Sequence, residues 1–388
     1  MKIVIICSTL DLKYRLGCTP SWWQLFKAFH ETGNEVIAIP YLGDPIESLW
    51  WRTYPNPCST ESKIYNRFLE LKKSTGISPS KRKEKQSIVN NSLDGYIRRK
   101  WENHILAILN KEKDVDFVLF INIPINHIQG IPTKIKKEFN IPVAFYDGDM
   151  PTILPKYAVD RGFKFNYYVG ADLSEFDAFF TNSKGVIPDL KEMGARNVHP
   201  LYYAADPDLF KPVAVEKDID ISFFGYGDSF REEWMKFMIS DPSKKMPGTR
   251  FSVAGSGFSI DLGKANYNGD LSFSEYRNYC CRSKICLNIT RWSHTNVYAS
   301  STARPFELAA FGACIVSQPY SGIGEWFEPG TEMIVLKEAD NIEEIYSQLL
   351  SSPDQRMKIG ENARERILQS HTFNHRAQEI TQFIQKRN

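Results

Sequence analysis

The sequence predicts an α/β protein of two domains. A chain of 388 residues is long enough for two separate cores. Short, continuous apolar runs alternate with segments of helical spacing, the pattern of parallel strands joined by helices. The alternation restarts in mid-chain with a fresh buried strand at Asp220 to Phe224. Hydrophobic content of 42%, charge of 24% and a net charge of +2 describe an ordinary globular protein and give no reason to expect nucleic acid as a partner. Seven scattered cysteines, with Cys280 and Cys281 adjacent and no C-x-x-C pair, indicate neither a zinc site nor a disulfide framework. A reducing compartment follows. The apolar start, Ile3 to Cys7, is too short for a signal peptide, and no stretch approaches the roughly 20 apolar residues of a membrane-spanning helix.

Met1 to Tyr41 reads as strand, loop, helix and strand, the first unit of a parallel sheet. Ligands of such sheets sit beyond the carboxyl ends of the strands, here the loop Ser8 to Pro20, which lacks the G-x-G-x-x-G of dinucleotide binding. Trp22 and Trp23 open the following helix, either as core packing or as rings that stack on a sugar. From about 43 to 113 the pattern loosens into a basic insertion with the run Lys81 to Lys85; a helix is expected near Tyr96 to Asn110. That insertion reads as a solvated loop or as a surface meeting an anionic membrane or acidic acceptor. Asp116 to Ile123 is a second buried strand, and Pro142 to Tyr146 a third, which delivers Asp147 and Asp149 to the sheet's carboxyl edge. Those carboxylates read as a base for a hydroxyl, as sugar ligands, or as turn caps. Phe176 to Ser183 is a further strand, a helix is expected over Lys184 to Met193, and Asn197 to Tyr203 closes the first domain.

In the second half, the strand at Asp220 runs into Gly225-Tyr226-Gly227-Asp228, with Arg231 at the start of the next helix and Lys236 five residues on. Glycines admit a phosphate to the backbone and Arg231 can pair with it. Asn268-Gly269 forms a turn before the helix Ser274 to Arg282, and Ile285 to Ile289 is another buried strand. Arg291, Trp292 and His294 follow; His294 is read as a substrate contact or a structural residue. The organising stretch is Ala299 to Phe327. Ser300, Ser301 and Thr302 make a hydroxyl-rich turn, Arg304-Pro305 starts a helix ended by Gly312, and Gly322, Gly324 and Glu325 form a second glycine loop. Glu307, in the first turn, can take two vicinal hydroxyls while Arg304 and the helix N-terminus face an anion. The alternative is an i,i+3 ion pair on a solvated helix.

SSTARPFELAAFGACIVS, GIGEWF and the distant SHTFNHR resemble the donor half of GT-B glycosyltransferases, and more narrowly the CgeB-like, glycosyltransferase-group-1 branch. The resemblance implies two facing Rossmann-like domains. The acceptor side is residues 1–210, the nucleotide-sugar side 211–370, and a helix over 371–388 crosses back to the first domain. It implies transfer of a sugar, retained in configuration, from a nucleoside-diphosphate sugar, UDP-linked above all, to a hydroxyl of a glycan, lipid-linked or protein acceptor. Glycan, cell-surface or spore-coat synthesis would be the setting. It implies no cofactor and no metal, which sets aside a metal-binding D-x-D reading of Asp147 and Asp149.

Catalysis would fall to Asp147, Asp149 and Arg304. The donor would be held by Gly225, Arg231, Lys236, Gly269, Ser300, Ser301, Thr302, Glu307, Gly322, Gly324 and Glu325, and the acceptor by Trp22 and Trp23. The pattern departs from the wider family at Ala299, where the first glutamate of E-x7-E is missing; Ser300 or Ser301 would take part of its role. A cytoplasmic location is implied, with contact to the inner membrane face as an added reading. A nucleotide-sugar epimerase and a non-catalytic sugar-binding structural protein are the competing classes.

Overall fold

The computed structural model describes residues 1–11, 21–61, 85–157, 167–168 and 170–386, with backbone only at 85–94 and 155. Most of the Ser8 to Pro20 loop and residues 81–84 of the basic run lie outside the described residues. The first lobe comprises β1 (Lys2–Thr9), α1 (Ser21–Glu31), β2 (Glu35–Leu42), β3 (Arg52–Thr53), α2 (Lys85–Lys111), β4 (Phe117–Ile121), α3 (Ile131–Phe139), β5 (Val143–Asp147), β6 (Ala178–Thr181), α4 (Ile187–Glu192) and β7 (Val198–Pro200). Its sheet runs β3-β2-β1-β4-β5-β6-β7, and all its pairings are parallel. β1 lies between β2 and β4, with Val4 in register with Ile37 and Val118, and Ile3 through Cys7 have no exposure. Burial on both faces explains why this strand reads as an unbroken apolar run.

The second lobe repeats the plan. It contains β8 (Ile219–Tyr226), then α5 (Glu232–Met235) running through a π-helical turn at Lys236–Ser240 into α6 (Asp241–Lys245). β9 (Phe251–Ser256), β10 (Asn266–Tyr267), α7 (Phe273–Arg282), β11 (Ser283–Asn288), α8 (Trp292–Asn296), α9 (Ala303–Ala310), β12 (Ile315–Ser317), β13 (Ile334–Val335), α10 (Ile342–Ser351) and α11 (Pro353–Ser370) follow. Its strands run β10-β9-β8-β11-β12-β13, again parallel. α7 starts with a capping box in which Ser272 and Glu275 each bond the other's backbone N–H, which explains its sharp start. In both sheets the strand order reverses beside the first strand, between β1 and β4 and between β8 and β11. A crevice opens at the carboxyl ends of such a pair.

The chain changes cores between Ala204, packed in the first lobe, and Ala205, packed with Phe210 in the second. It returns at His371, where Thr372 caps α12 (Phe373–Gln385) and the helix sinks Phe373, Ala377, Ile380 and Ile384 into the first lobe's core beside Leu25 and Phe29. Arg376, 4% exposed, donates Nε to the Tyr202 carbonyl at 2.7 Å, so the returning helix grips the outgoing connector.

Two expected elements are shorter than the sequence pattern suggests. α4 begins at Ile187 because the backbone of Lys184 and Gly185 instead bonds the other lobe. β7 stops at Pro200 because the chain leaves the sheet for the connector.

α9 sits against α11 at a point of near contact. A Cβ on Gly360 would lie 2.1 Å from the carbonyl oxygen of Gly312. Helix propensity alone makes Gly→Ala stabilising by about 1 kcal/mol, whereas forced overpacking costs about 1–3 kcal/mol. Gly360→Ala should therefore lower stability by about 1–2 kcal/mol in chemical denaturation; unchanged or raised stability would show that the two helices separate freely.

Candidate functional site

The carboxyl ends of β8, β11 and β12 carry a polar niche in the second lobe. Arg231, in the turn after β8, is drawn inward. Its Nε donates to the Ile289 carbonyl at 3.2 Å, and its Nη1 donates to Tyr226 O and to Asp228 Oδ2 at 2.8 Å. Arg304, from the first turn of α9, lies with its guanidinium carbon 4.7 Å from the ring centroids of both Phe224 and Tyr276. Glu307, one helical turn on and 3% exposed, accepts at Oε2 from Arg304 Nη1 and Tyr276 Oη, each at 3.0 Å. The i,i+3 pair weighed from sequence thus exists, but inside the protein rather than on a solvated face. Burial raises the Glu307 carboxyl above its usual range, against the pull of Arg304 and Tyr276. Thr302 caps α9 without a side-chain bond to the first turn. The arrangement presents guanidinium groups and a helix N-terminus to an anion, with a carboxylate alongside for hydroxyls.

Buried polar atoms without a hydrogen-bond partner among the described residues gather at the same strand ends: Asp228 Oδ1, Asn288 Oδ1, Ser293 Oγ, His294 Nδ1 and Gln318 Nε2. These atoms stand beside the arginine niche as donors and acceptors that a ligand or water can meet. The His294 imidazole is pushed down to about 3 by burial and by Arg291 and Arg231, so it stays neutral and is no titrating base near pH 7. Lys236 is exposed, and its ammonium makes no hydrogen bond or ion pair among the described residues.

Across from this niche stands the carboxyl edge of the first sheet. Asp147, 1% exposed at the end of β5, accepts from Tyr168 Oη at 2.5 Å and from the Asp149 backbone N–H at 2.9 Å. Burial first, and the Asp149 charge second, push it up to about 7. Asp149 remains open to water yet has protein around it. Its carboxyl is raised by that surrounding mass, against the opposing pull of Arg291 in the other lobe and of the Asn122 amide, 2.6 Å away. Asn122, in left-handed backbone at φ 49°, also accepts from the Gly148 N–H at 2.7 Å and so fixes the loop that carries both aspartates.

Other expected site residues stand elsewhere. Ser300 and Ser301 are fully buried in the seam between the lobes. Ser300 Oγ bonds Ser183 Oγ at 2.5 Å, while Ser301 Oγ accepts from the Tyr203 N–H and donates to Asn182 O. Their hydroxyls tie lobes together rather than facing a diphosphate. Glu325 is held by Lys184 Nζ at 2.7 Å and Tyr298 Oη at 2.8 Å on the same seam, rather than turned to a sugar.

Gly322, at φ 77°, passes Ala299 so closely that a Cβ would sit 2.5 Å from its amide nitrogen; Gly324 has open space. Gly225 pairs with Gly255 across β8 and β9, and the Gly269 carbonyl accepts from the Gly255 N–H at 2.7 Å. Trp22, 6% exposed, packs edge-on to Tyr146 with its Nε1 on Ser8 Oγ, and Trp23 packs edge-on to Trp51 with its Nε1 on the Leu10 carbonyl. Trp22 belongs to the first lobe's core, and Trp23 packs half-buried against it. The sequence reading missed Asp228 and Arg291, which meet only because β8 and β11 are neighbours, and Asn122, whose signal was an asparagine directly after a buried strand.

Two Rossmann-like lobes joined by a helix that crosses back form the GT-B fold, and solved structures share it over the whole chain. A sucrose-phosphate synthase from Thermosynechococcus elongatus matches at TM-score 0.68 and 14% identity, covering 100% of this chain and 99% of that one. The Anabaena protein HepE in complex with UDP and glucose matches at 0.62 and 11%, covering 99% of each. A glycosyltransferase from Rickettsia africae matches at 0.60 and 13%, covering 99% and 98%. Residues 231–382, the part that holds the arginine niche, match the family model described as glycosyl transferase-like, so the chain carries a glycosyl transferase-like segment on a GT-B fold. Among curated proteins no sequence matches it. No helix of the described residues is long and apolar enough to cross a membrane.

The Asp147 carboxyl yields a stability prediction. Its folded value lies above its unfolded one, so the native state binds more protons between about pH 4 and 7 and stability falls as pH rises through that window. Asp147→Asn removes the charge and keeps the bond from the Asp149 N–H, while its amide NH2 must donate to Tyr168 Oη where the carboxylate oxygen accepted. The variant should match wild type near pH 4 and become progressively more stable by pH 8, the gap widening by at most about 1.4 kcal/mol per pH unit. A pH-independent difference in urea denaturation would mean that Asp147 is not held protonated.

Proposed function

We infer that the second lobe binds a nucleoside-diphosphate sugar, UDP-linked by preference, and that a hydroxyl of an acceptor seated against the first lobe takes the sugar. The observation that carries this reading is the buried Arg304–Glu307 pair at the start of α9, facing the same niche as Arg231. Arg231, Arg304 and the first turn of α9 meet the diphosphate. Glu307 takes the ribose hydroxyls. Lys236, its ammonium open to solvent five residues beyond Arg231, adds a further cation. As the bond from the anomeric carbon to the phosphate oxygen breaks, its electrons pass to the diphosphate, and charge grows where these donors already point. UDP bound to HepE in the same fold supports the nucleotide class.

Asp149 is the acceptor-side carboxylate because it is the member of the aspartate pair that water and substrate reach; Asp147 is sealed beneath it. It holds the incoming hydroxyl against the anomeric carbon, and loss of such alignment is costly. Arginines and a helix terminus take the part that a metal plays elsewhere, so transfer should persist in EDTA. A glycan, lipid-linked or protein acceptor in the cytoplasm, where nucleotide sugars are made, fits this chemistry. The basic insertion is the natural candidate for contact with a membrane face.

Two outcomes follow. Glu307→Gln should weaken UDP binding about tenfold in calorimetry and narrow the preference for UDP over 2′-deoxy-UDP; an unchanged ratio would remove the ribose from Glu307. Asp149→Asn should lower acceptor-dependent UDP release by about 100-fold while UDP affinity stays within about twofold. A variant as active as wild type would place the acceptor elsewhere.

A further inference from the structure

Arg291 stands at the topological switch point of the second lobe, on the loop after β11, opposite the loop after β8 that carries Asp228 and Arg231. One carboxylate oxygen joins them: Asp228 Oδ2 accepts from Arg231 Nη1 at 2.8 Å and from Arg291 Nε at 3.2 Å. Asp228 is nearly buried, with 13% of its side chain exposed, and its Oδ1 is a buried atom with no partner among the described residues. Two guanidinium groups brought together, Arg231 with 15% of its side chain exposed and Arg291 with 38%, repel each other unless an anion lies between them. Asp228 supplies that anion and sets the direction of both side chains. The remaining groups that face the cluster are Arg304 with its partner Glu307, the neutral His294, and Asp149 of the other lobe beyond Arg291. Three arginines therefore stand against two second-lobe carboxylates, and the niche still attracts an anion.

We propose that Arg291 is a diphosphate-binding residue of the donor site, and that Asp228 is the positioning residue that holds Arg291 and Arg231 side by side as a two-armed clamp. The inference rests on the nucleotide-sugar reading above and extends it to two residues outside that assignment. Arg231 is anchored by two backbone carbonyls as well as by Asp228, whereas Arg291 has Asp228 as its ion-pair partner among the described residues and lies over the Phe230 ring at 5.9 Å. Arg291 is thus the arm that loses its aim when Asp228 is changed.

The sign of the Asp228→Asn effect separates positioning from simple charge. Removing a carboxylate beside a bound diphosphate strengthens anion binding if only Coulomb attraction matters. It weakens binding if the carboxylate is what aligns the clamp. UDP and UMP affinities should be measured by calorimetry for wild type, Asp228→Asn and Arg291→Gln, with thermal unfolding as the folding control. The expected result is that wild type prefers UDP to UMP, Arg291→Gln loses about tenfold in UDP affinity with UMP little changed, and Asp228→Asn also binds UDP more weakly. Tighter UDP binding by folded Asp228→Asn, or an unaltered UDP-to-UMP ratio in Arg291→Gln, overturns the clamp and leaves the nucleotide-sugar reading standing. A wild type with no preference for UDP over UMP overturns that reading, and the clamp with it.

Discussion

The reciprocal bond between Asn182 and Ser301 is the constraint on which the site depends. The Ser301 N–H donates to the Asn182 carbonyl at 2.8 Å, and the Asn182 side chain returns a bond to the Ser301 carbonyl at 2.8 Å while a second reaches Met150 O at 2.9 Å. All of it is buried. In water each such exchange is nearly neutral, but here breaking any one strands a polar group away from solvent, at about 1–3 kcal/mol. The residues that follow Asn182 extend the contact: Lys184 and Gly185 donate to the carbonyls of Ala299 and Tyr298. The start of α9, and with it Arg304 and Glu307, is therefore set in place relative to the Asp147–Asp149 loop. Donor chemistry and acceptor chemistry belong to different lobes, and this seam gives them a common frame.

Electrostatics in the crevice is arranged by burial as much as by charge. Arg231 is so enclosed that its guanidinium falls to about 10 despite Asp228, yet it remains cationic at any physiological pH. The same crowding keeps His294 neutral. The two aspartates divide: the inner one behaves as a neutral hydrogen-bonding group below about pH 7, and the outer one stays in contact with water. A bound diphosphate would relieve the cationic side and leave the carboxylates for hydroxyls, a division of labour between oppositely charged walls.

Much of the architecture was legible because parallel strands buried on both faces leave unbroken apolar runs, and KIVIIC, DFVLFINI and the run from Asp220 to Phe224 each do so. The return of α12 to the first lobe was an expectation carried by the resemblance of SHTFNHR rather than by any periodicity, and the structure has it, with the helix starting at Phe373. Arg304 and Glu307 were legible as a pair because proline fixes the helix start and the spacing fixes their shared face. The serines were not. A hydroxyl in a loop serves a ligand or a neighbouring chain equally well, and only the position of β6 beside that loop shows that Ser300 and Ser301 bond the first lobe. Trp22 and Trp23 were ambiguous for the same reason, since an indole reads alike whether it meets a sugar or Tyr146. Asp228 with Arg291 was beyond reach, because 63 residues separate two groups that strand order alone brings onto one oxygen.

A structure of the protein with UDP bound tests the central claim most directly. The account predicts the diphosphate within hydrogen-bond distance of Arg231 and Arg304 at the N-terminus of α9, with the ribose hydroxyls on Glu307. UDP bound anywhere else, or with its ribose turned away from Glu307, would contradict it.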